Sequence, residues 1–273
     1  MNLYLRDDLA TAWRGSDPFA MARQQGGEIY RDKEGRRTLR FELDGRGYFL
    51  KLHQGVGWGE ILKNLVQGRL PVLGATNEYR AIRALEALDI DTLSVAGFGR
   101  RGINPAAQLS FLITDELSGV LSLEDYCRNW REQPPTLALK RRLIERLADI
   151  SRTLHEHGIN HRDYYLCHFM LDISQPVDAA RIANTPLHVI DLHRAQLRTQ
   201  VPRRWRIKDL GALYYSALDI GLSARDVLRF IRRYRGRRLR TIFAEERDLW
   251  RAVRQRAGAI YRRDFGREPR WPL

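Results

Sequence analysis

Two carboxylates and the residues between them offer the first chemistry in this chain. His161-Arg162-Asp163 leads into Tyr164-Tyr165-Leu166-Cys167-His168-Phe169-Met170-Leu171, and after an insert the chain reads Leu187-His188-Val189-Ile190-Asp191-Leu192-His193. Asp163 stands at the mouth of a loop. Leu166 to Leu171 predicts a short apolar strand, and a second strand returns to end in Asp191. Two acids so placed can divide a phosphate transfer between them. One orients and deprotonates an attacking hydroxyl, and the other holds magnesium on the nucleotide phosphates. A His-Arg-Asp triplet recurs by chance, so the reading requires a lysine and a glutamate upstream in matching settings.

Both are present. Leu39, Phe41 and Leu43 alternate with Arg40 and Glu42, Asp44-Gly45-Arg46-Gly47 is a hairpin turn, and Tyr48, Leu50 and Leu52 alternate with Phe49 and Lys51. The pattern predicts a strand meander over 28–52 with Lys51 on the face opposite Tyr48, Leu50 and Leu52. A lysine there can pair the α and β phosphates of a nucleotide, although exposed strand lysines are common. Asn77 to Leu88 predicts a helix, with Thr76 or Asn77 as N-cap. Glu78 heads its apolar stripe of Ala81, Ile82 and Leu85, and a buried carboxylate needs a cationic partner. Taken alone Glu78 is an ordinary early-helix acid favoured by the dipole. Taken together, Lys51 and Glu78 explain each other.

The elements that position these groups follow from periodicity and punctuation. Leu143, Leu147, Ile150 and Leu154 form one stripe of a helix that Gly158 ends, ahead of Asp163. Residues 92–102, with Gly97, Gly99 and Gly102, read as a connector. Leu109 to Thr114 reads as a buried strand, broken at Asp115-Glu116-Leu117-Ser118-Gly119. A hinge between a sheet lobe and a helical lobe falls there, and its backbone between Asp115 and Leu117 can meet an adenine edge. Ser122 caps a helix, and Pro134-Pro135 separates it from the Leu143 helix. Ile207 to Leu218 reads as a largely apolar helix. Ser223 and Asp226 cap the next one, buried along Val227, Leu228, Ile231 and Tyr234 and ended by Gly236. A final helix covers roughly residues 245–261. No chemistry is read from residues 1–27.

The net charge of +14 is concentrated in one place. Residues 201–273 hold 20 Lys and Arg against 8 Asp and Glu, and nineteen of those cations are arginines, whereas residues 1–200 hold 27 against 25. Guanidinium groups grip phosphate and carboxylate bidentately, so a polyanionic partner is expected: phospholipid, phosphorylated glycan, nucleic acid or an acidic protein. A solvated helical surface is the plainer reading. Cys127 and Cys167 are too few for a disulfide framework. No uncharged apolar run reaches 18 residues, and the N-terminus carries acids and lacks an apolar core, so neither a transmembrane helix nor a secretory signal is expected. The expected setting is cytosolic, with any membrane met at its surface.

With Lys51, Glu78, Asp163 and Asp191 in this order, the chain resembles the protein-kinase-like superfamily along most of its length. More narrowly it is similar to the bacterial lipopolysaccharide core heptose (I) kinase family. The match is carried by Pro71-Val72-Leu73-Gly74-Ala75, Ile159-Asn160-His161-Arg162-Asp163, Cys167-His168-Phe169, Val189-Ile190-Asp191-Leu192-His193-Arg194-Ala195-Gln196-Leu197-Arg198 and Pro202-Arg203-Arg204-Trp205-Arg206. The resemblance implies an α+β, bilobal protein-kinase-like fold: an antiparallel-sheet N-lobe with one key helix over residues 1–115 and a mainly helical C-lobe over 116–273. It implies ATP and Mg2+ as cofactors and transfer to the first heptose of the lipopolysaccharide inner core, at the cytoplasmic face of the inner membrane. The partners expected are this lipid-anchored oligosaccharide, an anionic membrane surface met by the arginine-rich region, and an acidic protein. In these terms Asp163 is the base, Asp191 the magnesium ligand, and Lys51 the phosphate ligand aimed by Glu78. Asp115, Glu116 and Leu117 line the adenine, and Arg162 and His193 support the site or touch substrate.

Three departures from protein kinases qualify the likeness. His168 replaces the metal-binding asparagine five residues after the acid, and imidazole suits magnesium less well than oxygen, so it acts as a ligand or as a hydrogen-bond donor. Asp191 is followed by Leu192-His193 with no activation-loop signature. The phosphate loop offers only Gly35, with Arg36 and Arg37. All three suit a glycan or small-molecule kinase. The rival readings are weaker: His155, His157, His161, Cys167 and His168 lack zinc spacing, and Trp205, Tyr234 and Trp250 lie on or near apolar stripes rather than forming a nucleic-acid platform. A kinase-like scaffold without catalysis would lack Asp163 or Asp191. Kinases of cationic acceptors call for acidic pockets, which the arginines oppose.

Overall fold

The computed structural model describes residues 2–33, 35–55, 57–59, 74–104 and 106–272. Pro71-Val72-Leu73 of the family-like stretch lie outside the described residues. The chain divides into two compact units, the first made of residues 1–84, 93–118 and 192–194, the second of 85–92, 119–191 and 195–273.

The first unit is built on a six-stranded antiparallel sheet, in the order β1-β5-β6-β4-β3-β2. Its strands are β1 (Asn2–Leu5), β2 (Glu28–Lys33), β3 (Arg36–Leu43), β4 (Arg46–His53), β5 (Val95–Arg101) and β6 (Leu109–Asp115). Asp44 and Gly45, both at positive φ (50° and 74°), make the two-residue turn that keeps β3 and β4 in register. Alternation does the rest. Leu39, Phe41, Tyr48, Leu50, Leu52, Phe111 and Ile113 bury one face against Leu9, Trp13 and Phe19. Those three come from α1 (Asp7–Ala12) and α2 (Pro18–Gln24), the latter capped by Asp17, in a stretch from which the sequence suggested nothing.

Within the expected connector of residues 92–102, residues 95–101 are corrected to strand. The glycines of β5 misled because they read as loop punctuation, yet each leaves room for a neighbour. A Cβ on Gly99 would strike the Phe111 ring, which packs edge-on against Trp13 and Phe19 at 6.1 and 5.2 Å between centroids. The helix α3 (Thr76–Glu86) lies over the other face, where Tyr79 stacks on Phe98 with centroids 4.1 Å apart.

The second unit is mainly helical: α4 (Leu123–Tyr126), α5 (Leu137–Glu156), α6 (Arg203–Ser216), α7 (Ala224–Arg235) and α8 (Leu239–Phe265). Small sheets join it, β10-β9-β7 (Leu187–Val189, Phe169–Asp172, Val120–Ser122) and β11-β8 (Gln196–Leu197, Ile159–Asn160). α5 buries the expected stripe, including Leu143, Leu147 and Leu154. The capping box of Ser223 and Asp226 and the left-handed Gly236 bound α7 as its sequence predicts. Three boundaries differ. Leu166–His168 is a 3-10 turn preceding β9 rather than strand, α6 begins at Arg203, and α8 begins at Leu239 with non-helical backbone at Glu246. An apolar cavity of about 350 Å³ lies within this unit, lined by Cys127, Leu143, Leu210, Leu213, Val227 and Trp250 among others.

Candidate active site

In the first unit, β4 and α3 bring Lys51 and Glu78 together. Lys51 pairs across the sheet with Leu112, which pairs with Phe98, so it stands on the face that α3 covers. Its Nζ donates to Glu78 Oε1 at 2.5 Å. The Glu78 side chain is 2% exposed, and a carboxylate buried so deeply without its cation would cost several kcal/mol. The lysine's aim therefore follows from the helix phase that buries Glu78. The expected cap is corrected: α3 starts at Thr76, behind an Ala75 N–H that donates to Ser110 Oγ at 3.0 Å. Asn77 instead donates its Nδ2 to the His193 carbonyl at 2.9 Å, which fixes His193 by its backbone.

Asp115, Glu116 and Leu117 follow the end of β6. Arg6 grips the Asp115 carboxylate with two bonds of 2.7 Å, and Arg40 Nε donates to Glu116 Oε1 at 2.7 Å. The Asp115 and Glu116 N–H groups are used by the Ser94 and Gly47 carbonyls, each at 3.0 Å. No such bond engages the Leu117 N–H among the described residues. At the far end of β4, two residues beyond Lys51, burial depresses the His53 imidazole to about 4, and the positive charges of Arg36 and Lys51 push it the same way.

The second unit carries the two acids. α5 ends at Glu156, Gly158 turns the chain at φ 76°, and β8 delivers His161, Arg162 and Asp163. The loop is tied down by Asp209 of α6, which is 1% exposed. Its Oδ2 accepts the His161 N–H at 2.7 Å and its Oδ1 the Arg162 N–H at 2.8 Å, with His155 Nε2 at 3.5 Å from Oδ2. Those bonds hold Arg162 at φ 77°, a conformation that costs a non-glycine residue about 1–3 kcal/mol. The Arg162 guanidinium lies 5.1 Å from the Trp205 ring centre. The buried His161 ring bonds through Nε2 to the Ile190 carbonyl at 2.8 Å, so that nitrogen carries the proton, and burial lowers its basicity.

Asp191 follows β10, also at positive φ (61°). His168 links the two acids: its Nδ1 donates to the Asp163 carbonyl at 2.6 Å, and its Nε2 lies 3.5 Å from Asp191 Oδ2. The Asp191 carboxylate beside it is one-third exposed. The alternative cluster does not form: His155 is bonded to the Tyr234 hydroxyl at 2.8 Å and His157 to the Thr153 carbonyl at 2.8 Å. Among the described residues no three His, Cys, Asp or Glu side chains converge as a metal site.

Two anchors escaped the sequence reading. Asp209 left a signal, being the lone acid of α6, directly before the apolar run Leu210-Gly211-Ala212-Leu213. Asp91 left none; it holds β10 by accepting the Leu187 N–H on its carboxylate at 2.9 Å and the Val189 N–H on its carbonyl at 2.8 Å. The arginine-rich surface is also more neutralised than counting suggests. Arg229 lies against Asp226 and Glu145, Arg233 forks onto Asp149 at 2.7 and 2.8 Å, and Arg235 and Arg237 pair with Glu246 and Glu245. Arg232, Arg238 and Arg240 are exposed, with no ion pair among the described residues. No described helix is long and apolar enough to cross a membrane.

Known proteins resemble this chain closely. The model of the lipopolysaccharide kinase (Kdo/WaaP) family matches residues 20–234. Lipopolysaccharide core heptose(I) kinase WaaP of Pseudomonas aeruginosa is 49% identical over 263 residues, 96% of this chain and 97% of its own length. The protein of that name from Escherichia coli K12 is 48% identical over 259 residues, 95% of this chain and 97% of its own. A solved structure, WaaP in complex with acyl carrier protein, superposes with a TM-score of 0.84 at 44% identity, covering 96% of this chain and 100% of that one.

Proposed function

Because the chain belongs to the lipopolysaccharide kinase (Kdo/WaaP) family, we propose that it transfers the γ-phosphoryl group of ATP to a hydroxyl of the first heptose of the lipopolysaccharide inner core. It is a phosphotransferase with a hydroxyl acceptor, and its fold is the α+β, protein-kinase-like fold that the resemblance implied.

The finer assignment is as follows. Asp163 accepts a hydrogen bond from the sugar hydroxyl and takes its proton as the new P–O bond forms. Lys51, aimed by Glu78, binds the α and β phosphates, and the Leu117 N–H serves the adenine edge, since those of Asp115 and Glu116 are already used. Asp191 fits a magnesium ion, which is commonly held by one or two carboxylates with phosphate oxygens and water completing its shell. His168 Nε2 is the second group that would face that ion. When bound, the ion offsets the negative charge of the phosphates. The observation that supports this reading best is the strained, buried anchoring of the Asp163 loop: Arg162 at φ 77°, held by both oxygens of Asp209. Such strain persists where a rigid placement is needed.

The test is transfer from radiolabelled ATP and magnesium to heptose-containing lipopolysaccharide lacking that phosphate. Wild type should label it, and folded Asp163→Ala and Asp191→Ala should not. No transfer by a wild type that binds ATP would redirect the reading to another acceptor or a scaffold.

For a lipid-anchored acceptor the enzyme works at an anionic membrane surface, met through exposed arginines such as Arg232, Arg238 and Arg240. Changing these three to glutamate should weaken binding to anionic vesicles and spare ATP binding; unchanged vesicle binding would reject it. An acidic protein, of which acyl carrier protein in the solved relative's complex is an instance, is the second partner these arginines suit. Titration of the same triple variant with acyl carrier protein tests that reading.

A further inference from the structure

Within the second unit, apart from Asp163 and Asp191, lies a polar recess of about 330 Å³ lined by Arg152, His155, Gln200, Arg206, Tyr234, Arg235 and one carboxylate, Glu156. It brings three guanidiniums from three helices, α5, α6 and α7, to one place. Their neutralisation is incomplete. Arg235 pairs with Glu246, and Arg152 reaches Asp149 and Glu156 only at 3.8 and 4.0 Å. Arg206 has no carboxylate within ion-pair reach among the described residues. The Nε donors of both Arg206 and Arg235 are buried with no acceptor among the described residues, as is Oε2 of Glu246 beside Arg235. A buried N–H without an acceptor is costly, and both belong to side chains that line this recess with a third arginine.

We infer that this recess binds a phosphate dianion, free or as a monoester, whose acceptor oxygens match three guanidinium forks. A carboxylate offers two oxygens and one charge and satisfies this set less well. The ligand is free phosphate or the same group carried on a lipid. The recess is joined to the loop of Asp163 by a chain of polar contacts. Arg206 and Arg235 face Tyr234, whose hydroxyl is 2.8 Å from His155 Nδ1. His155 Nε2 lies 3.5 Å from Asp209 Oδ2, and Asp209 holds the His161 and Arg162 amides. Occupancy therefore stiffens the support of that loop, a regulatory input separate from the substrates of the reaction proposed above.

The experiment titrates inorganic phosphate into the full chain by calorimetry at constant ionic strength, with a non-hydrolysable nucleotide analogue saturating. Arg206→Gln, Arg152→Gln and, as a surface control outside the recess, Arg225→Gln are compared with wild type. Binding should weaken about tenfold or more in the first two and stay unchanged in the control, as expected for losing one charge-assisted fork. Circular dichroism checks folding, and Arg152 is half-exposed, so its variant serves if Arg206→Gln unfolds. In a second arm, vesicles with phosphatidic acid are compared with pure phosphatidylcholine. Arg206-dependent retention that soluble phosphate competes away identifies the lipid-borne group, and Arg206 dependence with soluble phosphate alone identifies the free ion. Absence of Arg206 and Arg152 dependence in both arms overturns the site. The dependence on Arg206 separates this result from the nucleotide reading, whichever way that one falls. Hydrogen exchange at the His161 and Arg162 amides should slow with phosphate in wild type; unchanged exchange despite binding would overturn the link to the loop.

Discussion

Replacing Asp209 by asparagine puts the anchoring of the catalytic loop to its most direct test. The substitution conserves shape and removes one acceptor. In the native structure both carboxylate oxygens are used, by amides at 2.7 and 2.8 Å, and the group is 1% exposed. Asparagine keeps one of these bonds, as a neutral one, and turns its NH₂ toward the other amide. One charge-assisted bond is lost and one buried donor is orphaned, which together destabilise by about 3 kcal/mol. The loop also loses what offsets the strain of Arg162 at φ 77°, so it relaxes and carries Asp163 with it. A displacement of about 1 Å at a reacting group lowers the rate about 100-fold. Urea denaturation measures the first effect and steady-state phosphate transfer the second. Because Asp209 acts through position, kcat should fall while the KM for ATP holds. An Asp209→Asn enzyme with near-normal kcat and stability would refute the anchoring argument, whatever its effect elsewhere.

Lys51→Met should abolish most transfer and destabilise the first unit by about 2 kcal/mol, discounted for the partial exposure of the lysine. Adding Glu78→Leu should restore stability, since no buried charge is left, without restoring activity; recovery of both by the double variant would dissociate the pair from catalysis. His53 sets an acid limit. Above pH 6.5 it is neutral in both folded and unfolded states and contributes nothing. As pH falls from 6.5 to about 4, the unfolded imidazole takes a proton that the folded one resists, so stability drops by about 3 kcal/mol over that window. His53→Phe should flatten that part of the stability–pH curve, and an unaltered slope would assign it to other groups. Gly158→Ala meets both a left-handed backbone and the Arg198 carbonyl, and should cost about 2 kcal/mol or more in thermal denaturation.

Much of the local structure was legible because local rules decide it. Alternation placed Lys51 opposite Leu50 and Leu52, the 3.6-residue stripe placed Glu78 with Ile82 and Leu85, and Ser223, Asp226 and Gly236 bounded their helix, since caps and periods act within a few residues. The order Lys51, Glu78, Asp163, Asp191 was visible for the same reason. Tertiary structure decided what depends on residues far apart in sequence. Residues 95–101 are a strand because the Phe111 ring needs the space that Gly99 leaves and Leu5, Leu9 and Ile113 need the space that Gly97 leaves, and no window around those glycines contains all of these side chains. Thr76 is helical because Ser110 accepts the N–H that precedes it. Arg229 and Arg233 counted as free cations in the sequence and are paired in the fold, because α5 presents Glu145 and Asp149 to α7. Asp209 became the support of the Asp163 loop only when α6 packed beneath β8. A carboxylate's partners across some fifty residues are set by packing, and packing is not written in any short stretch of chain.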